Sequence, residues 1–126
     1  ADRARLLASG EAPCDLVEDV ETLLATPGVD AVVVVSPSSL HHEHISRAAE
    51  AGKAIFAEKP VADSVALARE VAATLERTGA PFQIGFQRRY DPGYARARQL
   101  IEEGAIGDVE MFRGITCDKI APVEFL

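Results

Sequence analysis

The run Ala31-Val32-Val33-Val34-Val35 constrains the fold more than any other part of the chain. It has no polar alternation, is rich in β-branched side chains, and is bounded by Pro27-Gly28 and Ser36-Pro37. Such a run reads as a central parallel strand buried on both faces. Two further apolar segments, 53–57 and 81–85, follow at intervals of about two dozen residues and are separated by helical periodicity. The helix between the first two strands is expected over 41–51, with Ile45, Ala48 and Ala49 on one face and Gly52 as a left-handed C-cap. The next starts after Ser64 as N-cap, aligns Ala68, Val71, Ala72 and Leu75, and ends at Gly79. A shorter helix carrying Val20, Leu23 and Leu24 precedes the first strand. Strand, helix and strand at this spacing are right-handed βαβ units, which makes the fold α/β with a doubly wound parallel sheet.

Beyond the third strand the pattern changes. Asp91-Pro92 is a helix start, with Asp as N-cap and Pro at the first helical position, and Gly104 closes that helix. Val109, Met111 and Ile115 then alternate with Asp108, Glu110 and Thr116, the period of a strand covered on one face. A domain boundary is expected near residues 90 and 91, dividing a domain of residues 1–90 from the start of a second α/β domain at 91–126. The chain opens without Met in a helix-like run, residues 1–8, and reads as a piece of something longer.

Composition excludes several classes. With 48% apolar and 26% charged residues, the chain is neither disordered nor low in complexity. A formal charge of -7 disfavours nonspecific binding to nucleic acid or an anionic membrane, since either surface repels it. No apolar stretch approaches the roughly 18 residues of a membrane span. Cys14 and Cys117 lie far apart and outside any C-x-x-C spacing, so both are expected as inert, buried thiols in a reducing cytoplasm. His41, His42 and His44 cluster with Glu43, yet no further Cys or His follows within reach, and a zinc site takes three or four protein ligands. No metal is expected.

Ligands of parallel sheets bind beyond the carboxyl ends of the strands. Three exits therefore matter: Ser36-Pro37-Ser38-Ser39-Leu40-His41, Glu58-Lys59-Pro60 and Gln87-Arg88-Arg89-Tyr90. A lysine at a strand end beside a cationic neighbour loses proton affinity and can serve as an acid/base group, which singles out Lys59. The same trio also reads as a surface Glu-Lys pair before a turn proline. His41 stands where it can touch a ligand, Ser39 is the better helix cap, and Ser36 could do either. Arg88 and Arg89 suit a phosphate or sugar-like hydroxyls, or pair with Asp91. Arg96 and Arg98 with Glu102 and Glu103 read as a solvated helix face.

Taken in order, 32–41, Ala48-Ala49-Glu50-Ala51-Gly52-Lys53, Glu58-Lys59-Pro60 and Gly85-Phe86-Gln87-Arg88-Arg89-Tyr90-Asp91-Pro92 resemble the glucose-fructose oxidoreductase, inositol dehydrogenase and rhizopine-catabolism (Gfo/Idh/MocA) family, nearest its inositol 2-dehydrogenase branch. The resemblance spans essentially the whole chain. It implies a partial Rossmann domain and the start of a C-terminal α/β domain that carries substrate residues and a homo-oligomer interface. It also implies an NAD-dependent oxidation, with NADP left open, of a ring hydroxyl of inositol or a related sugar or polyol. By that match Lys59 is the catalytic-site lysine, touching substrate and the nicotinamide ribose. Ser36, Pro37, His41 and Glu58 line the dinucleotide, Gln87 lies near the nicotinamide, and Arg88 reaches substrate hydroxyls.

The family's phosphate-binding G-x-G-x-x-G loop is expected upstream of these residues and its D-x-x-x-H motif downstream; neither is in the sequence. Two other readings follow from that gap: a non-catalytic dinucleotide-binding regulatory module, and a truncated product without function. Hydride transfer needs a held cofactor and an aligned proton acceptor, and the 126 residues supply about half of each. The isolated 126-residue chain is therefore expected not to oxidise inositol, a point checked by following NADH formation at 340 nm with purified chain.

Overall fold

The computed structural model describes residues 14–116. The expected helix at 1–8 and Cys117 lie outside the described residues. Contacts divide the chain into two compact units, one ending at Phe86 and the other beginning at Gln87.

In the first unit three strands form one parallel sheet in the order β1 (Ala31–Val34), β2 (Ala54–Ala57), β3 (Phe82–Ile84). Helix α1 (Val20–Ala25) precedes the sheet, α2 (Ser38–Glu50) connects β1 to β2, and α3 (Val65–Thr78) connects β2 to β3. The α/β reading is correct, and each helix has the local chemistry that its sequence signals. Asp19 caps α1: its carboxylate accepts from the Thr22 N–H, which holds the Asp19 pKa below its ordinary value. Ser64 caps α3 through the Leu67 N–H, and Gly79 ends it with φ 67°, a left-handed conformation in which a Cβ would be strained.

Three expectations are corrected. Helix α2 begins at Ser38, not near His41; Pro37 is its N-cap residue, and Ser39 lies within the first turn rather than capping it. Proline cannot provide a side-chain cap, and the fixed φ of its ring suits the chain's entry into the helix. The strand run is not buried on both faces. Val34 is buried, whereas Val33 is 66% exposed and Phe56 38%, because α2 and α3 cover one sheet face and nothing among the described residues covers the other. Cys14 is exposed, since it precedes α1 and the packed core.

The core sits between the sheet and its two connecting helices. Val34, Ile55 and Ala57 point from the strands toward Ile45, Ala48 and Ala49 of α2 and Val71 of α3. Small residues at 48, 49 and 57 let α2 lie close against the sheet, and the fully buried Ile45 fills the space between them. Lys53 closes the turn before β2 by donating from Nζ to the Val29 carbonyl at 2.7 Å.

In the second unit Gln87–Tyr90 forms a 3₁₀ turn that leads into α4 (Pro92–Glu102). Asp91 Oδ1 accepts from the N–H groups of Gly93 and Tyr94, the N-cap expected from Asp-Pro. The expected strand at 108–116 is absent; these residues carry no regular structure, and Met111 and Phe112 are 87% and 83% exposed. Alternating side chains qualify a segment as a strand, but a strand exists only where a neighbour pairs its backbone, and none of the described residues does so.

Ile45→Ala is expected to destabilise the first unit by about 2–5 kcal/mol, because a fully buried branched side chain leaves a cavity that the adjacent alanines cannot fill. Urea unfolding of wild type and variant checks this.

Candidate functional site

The strand ladder sets the geometry of the carboxyl edge. β1 and β2 pair Val34 with Ala57, and β2 and β3 pair Ala57 with Ile84, so the three strands end level. The ladder continues one step past the strands: Glu58 N–H donates to the Val34 carbonyl at 2.9 Å, and Gly85 N–H to that of Ala57 at 2.8 Å. Ser36, Glu58 and Gly85 consequently leave the sheet on one edge, with Lys59 and Pro60 next in line.

Glu58 and Lys59 are both exposed there. The Lys59 backbone N–H donates to Glu58 Oε2 at 3.3 Å, which turns that carboxylate back along its own chain. The other carboxylate oxygen lies over Gly85. A Cβ at residue 85 would come within 3.1 Å of Glu58 Oε1 and 3.3 Å of the Phe56 ring, so glycine is what lets the carboxylate rest on the β3 exit. Sequence reasoning passed over this role for Gly85; its signal is a glycine one position beyond an apolar strand, level with a charged residue on the neighbouring strand. The Lys59-Pro60 peptide, whose isomer the sequence leaves open, is cis.

The structure places His41 differently from the other candidates at this edge. It is 2% exposed, with Nδ1 2.6 Å from the Pro60 carbonyl oxygen and Nε2 2.7 Å from that of Ser36. Carbonyls only accept, so the ring nitrogen that carries the proton donates to one of them, and both nitrogens face the chain's own backbone rather than a ligand. His44, read from the sequence only as part of the histidine cluster, shares a hydrogen bond between its Nδ1 and Ser36 Oγ at 2.9 Å. The half-buried Ser36 and the exposed Pro37 form the β1 exit. No group of three metal-ligating side chains occurs among the described residues.

In the second unit, Gln87 and Arg88 line a cavity with Tyr90, Asp91, Tyr94 and Thr116. Arg88 Nη1 donates to Tyr94 Oη at 2.7 Å and to Thr116 Oγ1 at 3.2 Å, and the guanidinium lies 5.5 Å from the centre of the Tyr94 ring. The Arg88 cation is thus within reach of the Tyr94 π-system. The Asp91 carboxylate is engaged as the α4 cap. Tyr94 and Thr116 were not legible as partners of Arg88: Thr116 is 28 residues away in sequence, and Tyr94 reaches it only because α4 starts at Pro92. Arg98 and Arg96 pair with Glu102 and Glu103 on an exposed helix face.

A family profile described as an oxidoreductase family with an NAD-binding Rossmann fold matches residues 2–86. The chain belongs to this Gfo/Idh/MocA family. Among curated Gfo/Idh/MocA relatives, a scyllo-inositol 2-dehydrogenase (NAD(+)) of Bacillus subtilis (strain 168) is 43% identical over 110 residues, covering 86% of this chain and 32% of the relative. An inositol 2-dehydrogenase of Rhizobium meliloti (strain 1021) is 38% identical over 106 residues, 84% of this chain and 32% of the relative. The crystal structure of scyllo-inositol dehydrogenase from Lactobacillus casei with bound NAD(H) and scyllo-inositol matches with a TM-score of 0.80 at 31% identity, over 85% of this chain and 32% of that one. The chain thus spans about a third of the length of these relatives. No helix among the described residues is long and apolar enough to cross a membrane.

Gly85→Ala is expected to push the Glu58 carboxylate aside by a few tenths of an ångström, a shift that a crystal structure of the variant measures.

Proposed function

We propose that this chain is part of an oxidoreductase in which the carboxyl edge of the sheet holds an NAD(P) dinucleotide and Lys59 handles the proton of a ring hydroxyl on inositol or a related polyol. The observation that carries this reading is the exposed Lys59 beside the Glu58 carboxylate, where the level strand ends place ligand-facing groups of a parallel sheet. The likeness to inositol dehydrogenases along most of the chain supports the same chemistry.

The residues present suit such a cofactor. A carboxylate accepts from paired ribose hydroxyls, an exposed ammonium donates to a hydroxyl oxygen, and Gly85 leaves room at the β3 exit for that carboxylate. Glu58 and Lys59, with Ser36 and Pro37 at the β1 exit, would hold the dinucleotide; when bound, it supplies the hydride acceptor. Lys59 Nζ has two tasks. It orients the substrate hydroxyl by a hydrogen bond, and it takes part in passing the hydroxyl proton on as the C–H bond breaks. In the second unit we assign Arg88 to substrate hydroxyls, through guanidinium N–H groups not used by Tyr94 and Thr116, and Gln87 to the nicotinamide side of the cofactor.

In the intact protein, Lys59→Ala is expected to lower kcat for inositol oxidation by about two orders of magnitude or more while dinucleotide binding persists. Steady-state rates at 340 nm and NADH fluorescence titration measure the two effects. A wild-type rate in the variant removes Lys59 from the proton relay.

A further inference from the structure

His41, Ile45, Ala48 and Ala49 are the buried residues of α2 and lie on one helical face. The stripe is apolar except at its amino-terminal end, where it reaches the carboxyl edge of the sheet. There the strand ladder has run out, and the Ser36 and Pro60 carbonyls, beyond the ends of β1 and β2, need donors that the ladder no longer supplies. The His41 ring lies between the two, Nδ1 at the Pro60 oxygen and Nε2 at the Ser36 oxygen, and its N–H can serve one of them. One ring spans 19 residues of sequence to Pro60 and five to Ser36, and so ties the β1 exit to the segment immediately after Lys59. The lysine itself is exposed and makes a single backbone contact to its neighbour Glu58, so the peptide that follows it is what anchors its backbone from the core side.

We propose that His41 is a positioning residue for Lys59: through its Nδ1–H donated to the Pro60 carbonyl it sets the place of the Lys59 backbone, and hence where the amine stands at the site. This rests on the reading of Lys59 as the proton-relay lysine. The two ring nitrogens have separable duties. The contact of Nδ1 is with the lysine segment, and that of Nε2 is with the β1 exit. Only the first is required for positioning Lys59.

Two substitutions separate these duties in the intact protein. His41→Asn keeps an amide N–H near the place of Nδ1 and loses the reach to Ser36; His41→Gln keeps one near the place of Nε2 and loses the bond to Pro60. Both remove the buried ring, so both lower the melting temperature, and a purely structural role makes them equivalent. The expected result is that His41→Asn retains kcat within about threefold of wild type, while His41→Gln loses about tenfold or more in kcat with a smaller change in KM, since misplacing a reacting group acts on the chemical step. A second readout needs no turnover: the rate of acylation of the Lys59 amine, followed by mass spectrometry in the cofactor-free protein, should change in His41→Gln and not in His41→Asn. Equal losses in the two variants, or a His41→Gln protein with wild-type kcat and labelling, overturn the proposal. Lys59→Ala run alongside separates the two ideas. An inactive Lys59→Ala with a fully active His41→Gln sinks the positioning role alone, whereas a fully active Lys59→Ala sinks the relay reading and the positioning role with it.

Discussion

Level parallel pairing of β2 with both of its neighbours is the constraint on which the rest of the first unit depends. Because Val34, Ala57 and Ile84 stand side by side, the residues that follow them leave the sheet at one edge. A one-residue slip in either pairing would turn Ile55 and Ala57 away from α2, expose apolar side chains, and lift Glu58 off Gly85. Packing and site geometry are thus two consequences of the same register. The buried stripe of α2 enforces it, since Ile45 and the small residues around it fit only when the inward faces of β1 and β2 are aligned.

The polar groups at that edge are arranged by what the backbone lacks rather than by attraction among side chains. Beyond the strand ends carbonyls lose their ladder partners, and an unpartnered buried carbonyl costs about 1–3 kcal/mol. His41 occupies a position that helical periodicity assigns to the core and brings one ring into hydrogen-bond distance of two such carbonyls. The exposed Glu58-Lys59 pair then projects from a segment whose backbone is held from behind. Charge pairing on the surface contributes little by itself: Arg47 meets Glu21 and Glu43, and Arg77 meets Glu50, all with half-exposed or exposed side chains where solvent screens the attraction. This edge is a solvated polar rim on a rigid apolar support, the arrangement in which parallel sheets hold their ligands.

The second unit solves a comparable problem by local means. Asp91 uses its carboxylate on the first turn of α4, and that helix start carries Tyr94 under the Arg88 guanidinium. Lying over the ring and bonding to its hydroxyl restrict a long side chain that would otherwise sample many rotamers.

Much of this was legible in the amino-acid order. The valine run, the helical stripes, Ser64, Gly79 and Asp91-Pro92 act over a few residues, and local sterics and hydrogen bonding suffice to specify strands, helices and caps. The Glu58-Lys59-Pro60 trio was legible too, because it follows directly on an apolar strand. What the order of residues could not show depends on contacts between segments distant in the chain. Residues 108–116 alternate like a strand but have no pairing neighbour among the described residues. Val33 belongs to a fully apolar run yet lies on the sheet face that α2 and α3 leave open. His41 looked like a ligand-facing imidazole at a strand exit, and only the packing of α2 shows that its two nitrogens face the chain's own carbonyls. The sequence by itself determined the elements and their order, since those follow from short-range periodicity. Tertiary structure alone decided which polar atoms remain free for a ligand, because a hydrogen bond to a residue 19 positions away exists only once the sheet and its helices have closed around it.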